Sequence, residues 1–224
     1  GPYNVLEAYE RLLNRATSKF NKLIDRGTDL RHSQDSTAAY TRTFNVYNEL
    51  WRFQQTHRAA LVEAGLKRSD IGEIASKIGQ LYYNFYLKCA DTNVLHEAYV
   101  FYEAIRARQY FTADPTLAPA AAGPSSAAAA PAAHPGLGGA QEAQHAHHLA
   151  VKQLRYYARF VIVCLMLGKK EEACALLQEF QALISAFAMA APPQEAQDWA
   201  LVIHEVCGFL NADVGMPLPR SPGT

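Results

Sequence analysis

The stretch Lys67–Lys88, KRSDIGEIASKIGQLYYNFYLK, decides how this chain folds. Ile71, Ile74, Ile78, Leu81, Tyr82 and Phe85 recur at steps of three and four, the spacing that stacks side chains along one face of a helix. Asp70 followed by Glu73 predicts a capping-box start: the aspartate accepts the free N–H groups of the first turn and the glutamate reaches back. Two glycines, Gly72 and Gly79, interrupt the pattern. Each costs roughly 1 kcal/mol against alanine in a helix interior, so they are expected to sit where a neighbouring helix comes close. The aromatic set Tyr82, Tyr83, Phe85 and Tyr86 gives the end of the helix an unusually bulky surface.

Helical period extends to both sides. From Tyr3 to Asp25, Leu6, Tyr9, Leu13, Ala16, Phe20 and Ile24 line up with charges opposite, and Gly27 supplies a left-handed stop. The polar run Thr28–Ser36 reads as a connection ending in a serine cap. One long helix is then predicted over Ser36–Ala64, with Tyr40, Phe44, Tyr47, Trp51 and Leu61 as its stripe and Gly65 as its end. Beyond the opening stretch, Asp91-Thr92-Asn93 caps and turns, and Val94–Tyr110 carries Leu95, Ala98, Tyr102 and Ile105. Pattern resumes near Gln141 and is strongest over Val151–Leu167, apolar on most faces and therefore central. Glu171–Ala188 follows after Gly168, and Pro192-Pro193 opens a last helix where a missing N–H is harmless.

The fold class expected is all-α: about seven antiparallel helices in a tetratricopeptide-like, irregular repeat array. Tyr157, Phe160, Cys164, Gly168, Ala173, Leu177 and Phe180 alternate large and small much as that repeat does; Gly79, Tyr82, Ala98 and Tyr102 do so less closely. A general helical bundle is the plainer alternative. Residues 3–111 form an N-terminal helical half, and 112–140 an insertion of alanine, proline, glycine and serine that cannot anchor a core. Residues 141–213 form a second half expected to pack on the first, and 214–224 a disordered tail. A long insertion separates the halves at little cost, because each doubling of loop length adds only about 0.6 kcal/mol of closure entropy.

Composition narrows the function classes. The 224 residues carry 21 basic and 21 acidic side chains, so any surface for a polyanion has to be a local patch. Cys89, Cys164, Cys174 and Cys207 lie far apart in apolar helical runs, with neither a C-x-x-C pair nor histidines at zinc spacing, and read as buried thiols of a reducing compartment. No run reaches the ~18 apolar residues of a membrane span, and no charged-then-apolar leader is present. A soluble intracellular protein is expected. Gly1-Pro2 without an initiator methionine reads as a piece of something longer.

Each candidate chemistry has a structural reading that competes with it. His145, His147 and His148, with His134 upstream, lack acidic or cysteine partners in register and border low-complexity sequence, so no metal is expected. Gly136, Gly138 and Gly139 follow no strand and precede no lysine-serine pair, unlike a phosphate loop. Glu171 and Glu172 sit at a helix start, where acids favour the positive dipole end. No nucleophile elbow is present. Basic residues alternate with aromatics at Arg106, Arg108, Tyr110, Phe111 and at Lys152, Arg155, Tyr156, Tyr157, Arg159, a pairing able to hold nucleic acid and equally the outer face of a helix.

Several long blocks resemble the N-terminal helical region of the suppressor of cancer cell invasion (SCAI) family: YNELWRFQQTHR (Tyr47–Arg58), GLKRSDIGEIASKIGQLYYNFYL (Gly65–Leu87), EAYVFYEAIRARQYF (Glu97–Phe111), KQLRYYARFVIVCLMLGK (Lys152–Lys169) and WALVIHEVCGFLNAD (Trp199–Asp213). The insertion departs from that family's shorter connection, and its composition has a green-algal cast. The resemblance implies a non-enzymatic, mainly nuclear protein, with the cytoplasm as a second location. It would act through protein partners, as a transcriptional cofactor that represses an actin-responsive coactivator programme, with an association with double-strand-break repair.

On both counts the expected use is a protein–protein interaction module with no catalytic residue, cofactor, small-molecule substrate or membrane. Arg52, Gln55, Lys67, Arg68, Lys77, Tyr83 and Asn84, flanking the opening helix, are the residues expected to meet the partner, unless they are only its solvated edge. Direct nucleic-acid binding through Arg106, Arg108, Lys152, Arg155 and Arg159 is the alternative.

Overall fold

The computed structural model describes residues 4–25, 34–112 and 138–215. Among these lie eight helices and no strand: α1 (Val5–Asp25), α2 (Gln34–Thr56), α3 (Arg58–Glu63), α4 (Arg68–Cys89), α5 (Thr92–Arg108), α6 (Gly138–Met166), α7 (Lys170–Ala188) and α8 (Pro193–Gly215). The protein is all-α, as its periodicity requires. Contacts divide the chain into two compact units, residues 1–152 and 153–224, so the division falls inside α6.

In the first unit α4 is the middle layer. Its Ile74, Ile78 and Leu81 join Tyr9, Ala16, Phe20 and Leu23 of α1, Tyr47 and Leu50 of α2, and Leu61 of α3 in one buried core. Its other side meets α5. Gly79 lies against the Tyr102 ring, where an added Cβ would stand 3.0–3.3 Å from ring carbons; at Gly72 an added Cβ would stand 2.6 Å from Tyr110 Cβ. The pairs 79 with 102 and 72 with 110 run in opposite directions, so α4 and α5 form an antiparallel hairpin. Asp91 closes its turn by accepting the Asn93 N–H at 2.9 Å, after Ala90 has taken a left-handed φ of 54°. A seam of aromatic rings ties α2 to this hairpin: Phe44 packs on Tyr82 at 4.6 Å, Tyr40 on Phe85 at 5.3 Å and Trp51 on Phe101 at 5.9 Å. Such pairs add about 0.5–1.5 kcal/mol beyond the area they bury.

The second unit is smaller. Tyr157 of α6 stacks on Phe180 of α7 at 6.2 Å and donates to Glu179 Oε2 at 2.8 Å. Phe180 in turn receives the edge of Trp199 from α8. Gly168, at φ 71°, makes the α6–α7 turn, and Pro193 occupies the first position of α8. These contacts are compatible with tetratricopeptide-like packing.

Six expectations are corrected by the fold. The single helix over Ser36–Ala64 is two, α2 and α3, broken at His57, and Ser36 lies buried inside α2 instead of capping it. Asp70 is not the N-cap of α4. The helix begins at Arg68, and Asp70 reaches back to accept the Lys67 N–H at 2.9 Å, while Glu73 pairs with Lys152. On α1 the inward residue of the last turn is Leu23, and Ile24 is 41% exposed, because 3.6 residues per turn carry the stripe off the even spacing. Helix α5 stops at Arg108: Gln109 turns left-handed at φ 49°, folding Tyr110 and Phe111 back as buried residues over Gly72. Of the four cysteines only Cys164 is buried; Cys89 and Cys174 are exposed and Cys207 intermediate. An apolar neighbourhood in sequence does not place a thiol on the inner face.

Helix α6 starts at Gly138, a little before the expected resumption, and α8 runs past Asp213 to Gly215. The stop at Gly27, most of the expected insertion over 112–140, His134 and residues 216–224 lie outside the described residues.

Two substitutions report directly on this packing. Gly72→Ala gains up to about 1 kcal/mol of helix propensity but drives a Cβ into Tyr110, an overpacking that costs about 1–3 kcal/mol. It is expected to lower the thermal midpoint followed by circular dichroism, whereas Gly208→Ala, facing open space, should raise it. Gln54 is wholly buried and neither its Oε1 nor its Nε2 has a hydrogen-bond partner. Gln54→Leu should therefore stabilise the same transition by about 1–3 kcal/mol.

Candidate functional site

Helices α1 and α4 both pack on α2, and the space left between them is a trough of about 540 Å³. Tyr9 and Tyr47, only 4% and 2% exposed, form its floor. Leu6, Glu10, Leu13, Asn14 and Thr17 line the α1 wall at steps of three and four, and Asp70, Glu73, Ile74 and Lys77 line the α4 wall in the same way. The turn between α3 and α4 contributes Ala64, Gly65 and Leu66; Gly65 makes it with a φ of 101°. The result is a channel with an apolar bottom and polar shoulders.

Its shoulders are predominantly acidic. Glu10, Asp70 and Glu73 line the trough together with one lysine, Lys77, whose ammonium lies 4.3 Å from the centre of the Phe20 ring on α1. The field of the carboxylates is felt on the floor: Tyr9 is pushed up to about 12, first by burial and then by Asp70 and Glu73. Tyr47 is raised by burial and by Glu73. Glu73 is held by Lys152, whose Nζ lies 2.5 Å from Glu73 Oε2, a pair in which both side chains remain about two-fifths exposed.

The residues expected to meet a partner do not form one site. Lys77 lines the trough. Arg52 lines a different groove of about 410 Å³ between α1 and α2, with Asn48, Glu49, Phe53 and His57, where Arg15 reaches Glu49 at 3.3 Å. Gln55 is exposed on α2. Lys67 stands at the start of α4, its Nζ 3.4 Å from His145 Nε2, and Arg68 donates to the carbonyl of Arg108, closing the end of α5. Tyr83 and Asn84 are half-buried on the second half of α4. On the alternative basic set, Arg108 donates to the Tyr110 hydroxyl at 3.0 Å and Lys152 is paired with Glu73; Arg155 and Arg159 belong to the second unit. Among the described residues no three His, Cys, Asp or Glu gather as a metal-holding group, and no helix is long and apolar enough to cross a membrane.

Sequence reading missed Glu10, Leu13, Asn14, Tyr9 and Tyr47 as site residues. The α1 residues share one helical ridge, which was legible; that α4 lies across from it was not.

Fold and trough together define an all-α protein with an open, acid-shouldered interhelical channel. The chain belongs to the SCAI family: the family model described as Protein SCAI matches residues 11–221. The Protein SCAI homolog of Dictyostelium discoideum is 39% identical over 95% of this chain, and Protein SCAI of mouse and of human are each 38% identical over 92% of it. The chain spans 24% of the Dictyostelium protein's length and 30% of the mammalian proteins'. No solved structure matches it.

The floor tyrosines make the trough's electrostatics measurable. Tyr9 loses its proton later in the folded chain than in the unfolded one, at about 12 against 10.0. The stability it lends is therefore whole below about pH 10 and is lost as pH rises through about 12. Tyr9→Phe is expected to flatten that alkaline fall in unfolding midpoint and to remove one late-ionising phenol from an ultraviolet absorbance titration.

Proposed function

We propose that this chain is a non-enzymatic protein–protein interaction module of a nuclear transcriptional cofactor of the repressor type, with an association with double-strand-break repair. Membership of the SCAI family supports the setting. The observation that carries the mode of action is the trough between α1 and α4. Helices held at both flanks by buried contacts supply a preformed channel, and a preformed channel binds without first ordering itself. Its cross-section, an apolar floor between polar shoulders, suits a helix or extended segment that inserts a few apolar side chains and leaves polar ones at the rim.

Capture of nuclear proteins by the 224-residue chain tests this reading, with captured proteins compared by mass spectrometry. Leu13→Asp and Lys77→Glu in the trough are expected to release the main partners, while Arg52→Glu in the α1–α2 groove leaves them bound. A set of captured proteins unchanged by Leu13→Asp and Lys77→Glu would overturn it.

A further inference from the structure

The trough also says what kind of segment it takes. We propose that it binds a basic amphipathic segment, whose lysine or arginine side chains reach the carboxylates of Glu10, Asp70 and Glu73 while its apolar side chains cover Leu13, Ile74 and the tyrosine floor. This rests on reading the trough as an interaction surface and adds to it the chemistry of the partner.

Three observations carry the inference. First, the charge is on both walls. Glu10 comes from α1 and Asp70 and Glu73 from α4, so a cation lying along the channel has a carboxylate on either side, an arrangement no single helix face provides. Second, the carboxylates outnumber the cations: three acidic side chains line the trough beside one lysine, Lys77. Lys77 lies over the Phe20 ring, and the lysine that meets this acidic rim, Lys152, belongs to α6. Third, Lys152 is itself a demonstration of what the rim accepts. Its ammonium sits on Glu73 in a half-exposed pair, and pairs of that exposure contribute only about 0.2–1 kcal/mol. A partner lysine can therefore take its place at small cost. Tyr9 and Tyr47, raised first by burial, are both raised further by carboxylates of the α4 wall, which agrees with negative charge along that side of the channel.

An acidic or neutral segment fits the same apolar floor but meets three carboxylates. Like charges brought together in a partly dry groove work against binding. The trough is thus selective by sign as well as by shape.

The test uses two labelled helical peptides with identical leucine spacing, one bearing lysine and the other glutamate at the intervening positions, titrated by fluorescence anisotropy against the 224-residue chain. The lysine peptide is expected to bind and the glutamate peptide not, with affinity falling as salt screens the charges. Glu10 is exposed, so Glu10→Lys leaves the core intact and should weaken the lysine peptide about tenfold; Glu63→Lys on α3 makes the same charge change outside the trough and should not. Lys152→Met should act the other way, tightening the lysine peptide about two- to fivefold by freeing Glu73 from one surface pair, while Lys22→Met changes nothing. Equal binding of both peptides, no effect of Glu10→Lys, or weaker binding on Lys152→Met each overturns the inference. So does self-association of the chain that Glu10→Lys abolishes, which would make a second copy the occupant. If Leu13→Asp abolishes binding of both peptides while Glu10→Lys does not matter, the interaction surface stands and only its charge preference fails; if Leu13→Asp changes neither peptide binding nor protein capture, the interaction surface itself is lost.

Discussion

The close approach of α4 to α5 at Gly79, and to the Tyr110-Phe111 turn at Gly72, is the constraint on which the first unit depends. With no Cβ at either position, the Tyr102 ring and the backbone-proximal carbon of Tyr110 settle directly against the α4 main chain. That contact holds α5 and the Tyr110-Phe111 turn on one side of α4, and so frees the side carrying Ile74, Ile78 and Leu81 for the core shared with α1, α2 and α3. A helix with ordinary side chains on both faces would hold its neighbours farther apart. The helix propensity given up by two internal glycines, about 1 kcal/mol each, is offset by packing that only glycine permits.

The same geometry produces the trough. Because α4 is fixed between α5 and α2, its Asp70–Lys77 ridge lines the channel rather than being packed away against α1. Opposite it, α1 turns Leu6, Leu13 and Glu10 toward the gap, and Tyr47 of α2 closes the bottom together with Tyr9. Buried phenols under carboxylates raise the proton affinity of the floor, which is the expected mark of negative charge concentrated beside low-dielectric protein. The trough is therefore a product of three helices at once.

Arg68 and Lys67 show how one residue serves fold and surface together. Arg68 satisfies a carbonyl at the end of α5, a place where cations favour the negative end of a helix, so its guanidinium ties α4 to α5. Lys67 supplies the N–H that Asp70 accepts, which orients a carboxylate of the trough. A main-chain N–H and a guanidinium at the start of α4 thus help set the geometry of the trough.

The spacing of apolar residues determined by itself that this protein is helical, and nearly where each helix runs, because burial selects a period of three and four whatever lies across from it. Gly72 and Gly79 likewise announced a close neighbour. Three things were decided by tertiary structure alone. Which face of α1 and which cysteine point inward depended on partners the local pattern does not name: Leu23 is buried beside an exposed Ile24, and Cys164 is buried while Cys174 is not. The break at His57 separates α2 from a short α3 whose Leu61 enters the shared core. And the trough joins Glu10 to Asp70 and Glu73 across some sixty residues of chain, a juxtaposition that no periodicity encodes, because period records how a helix meets a core and is silent on which helix stands opposite.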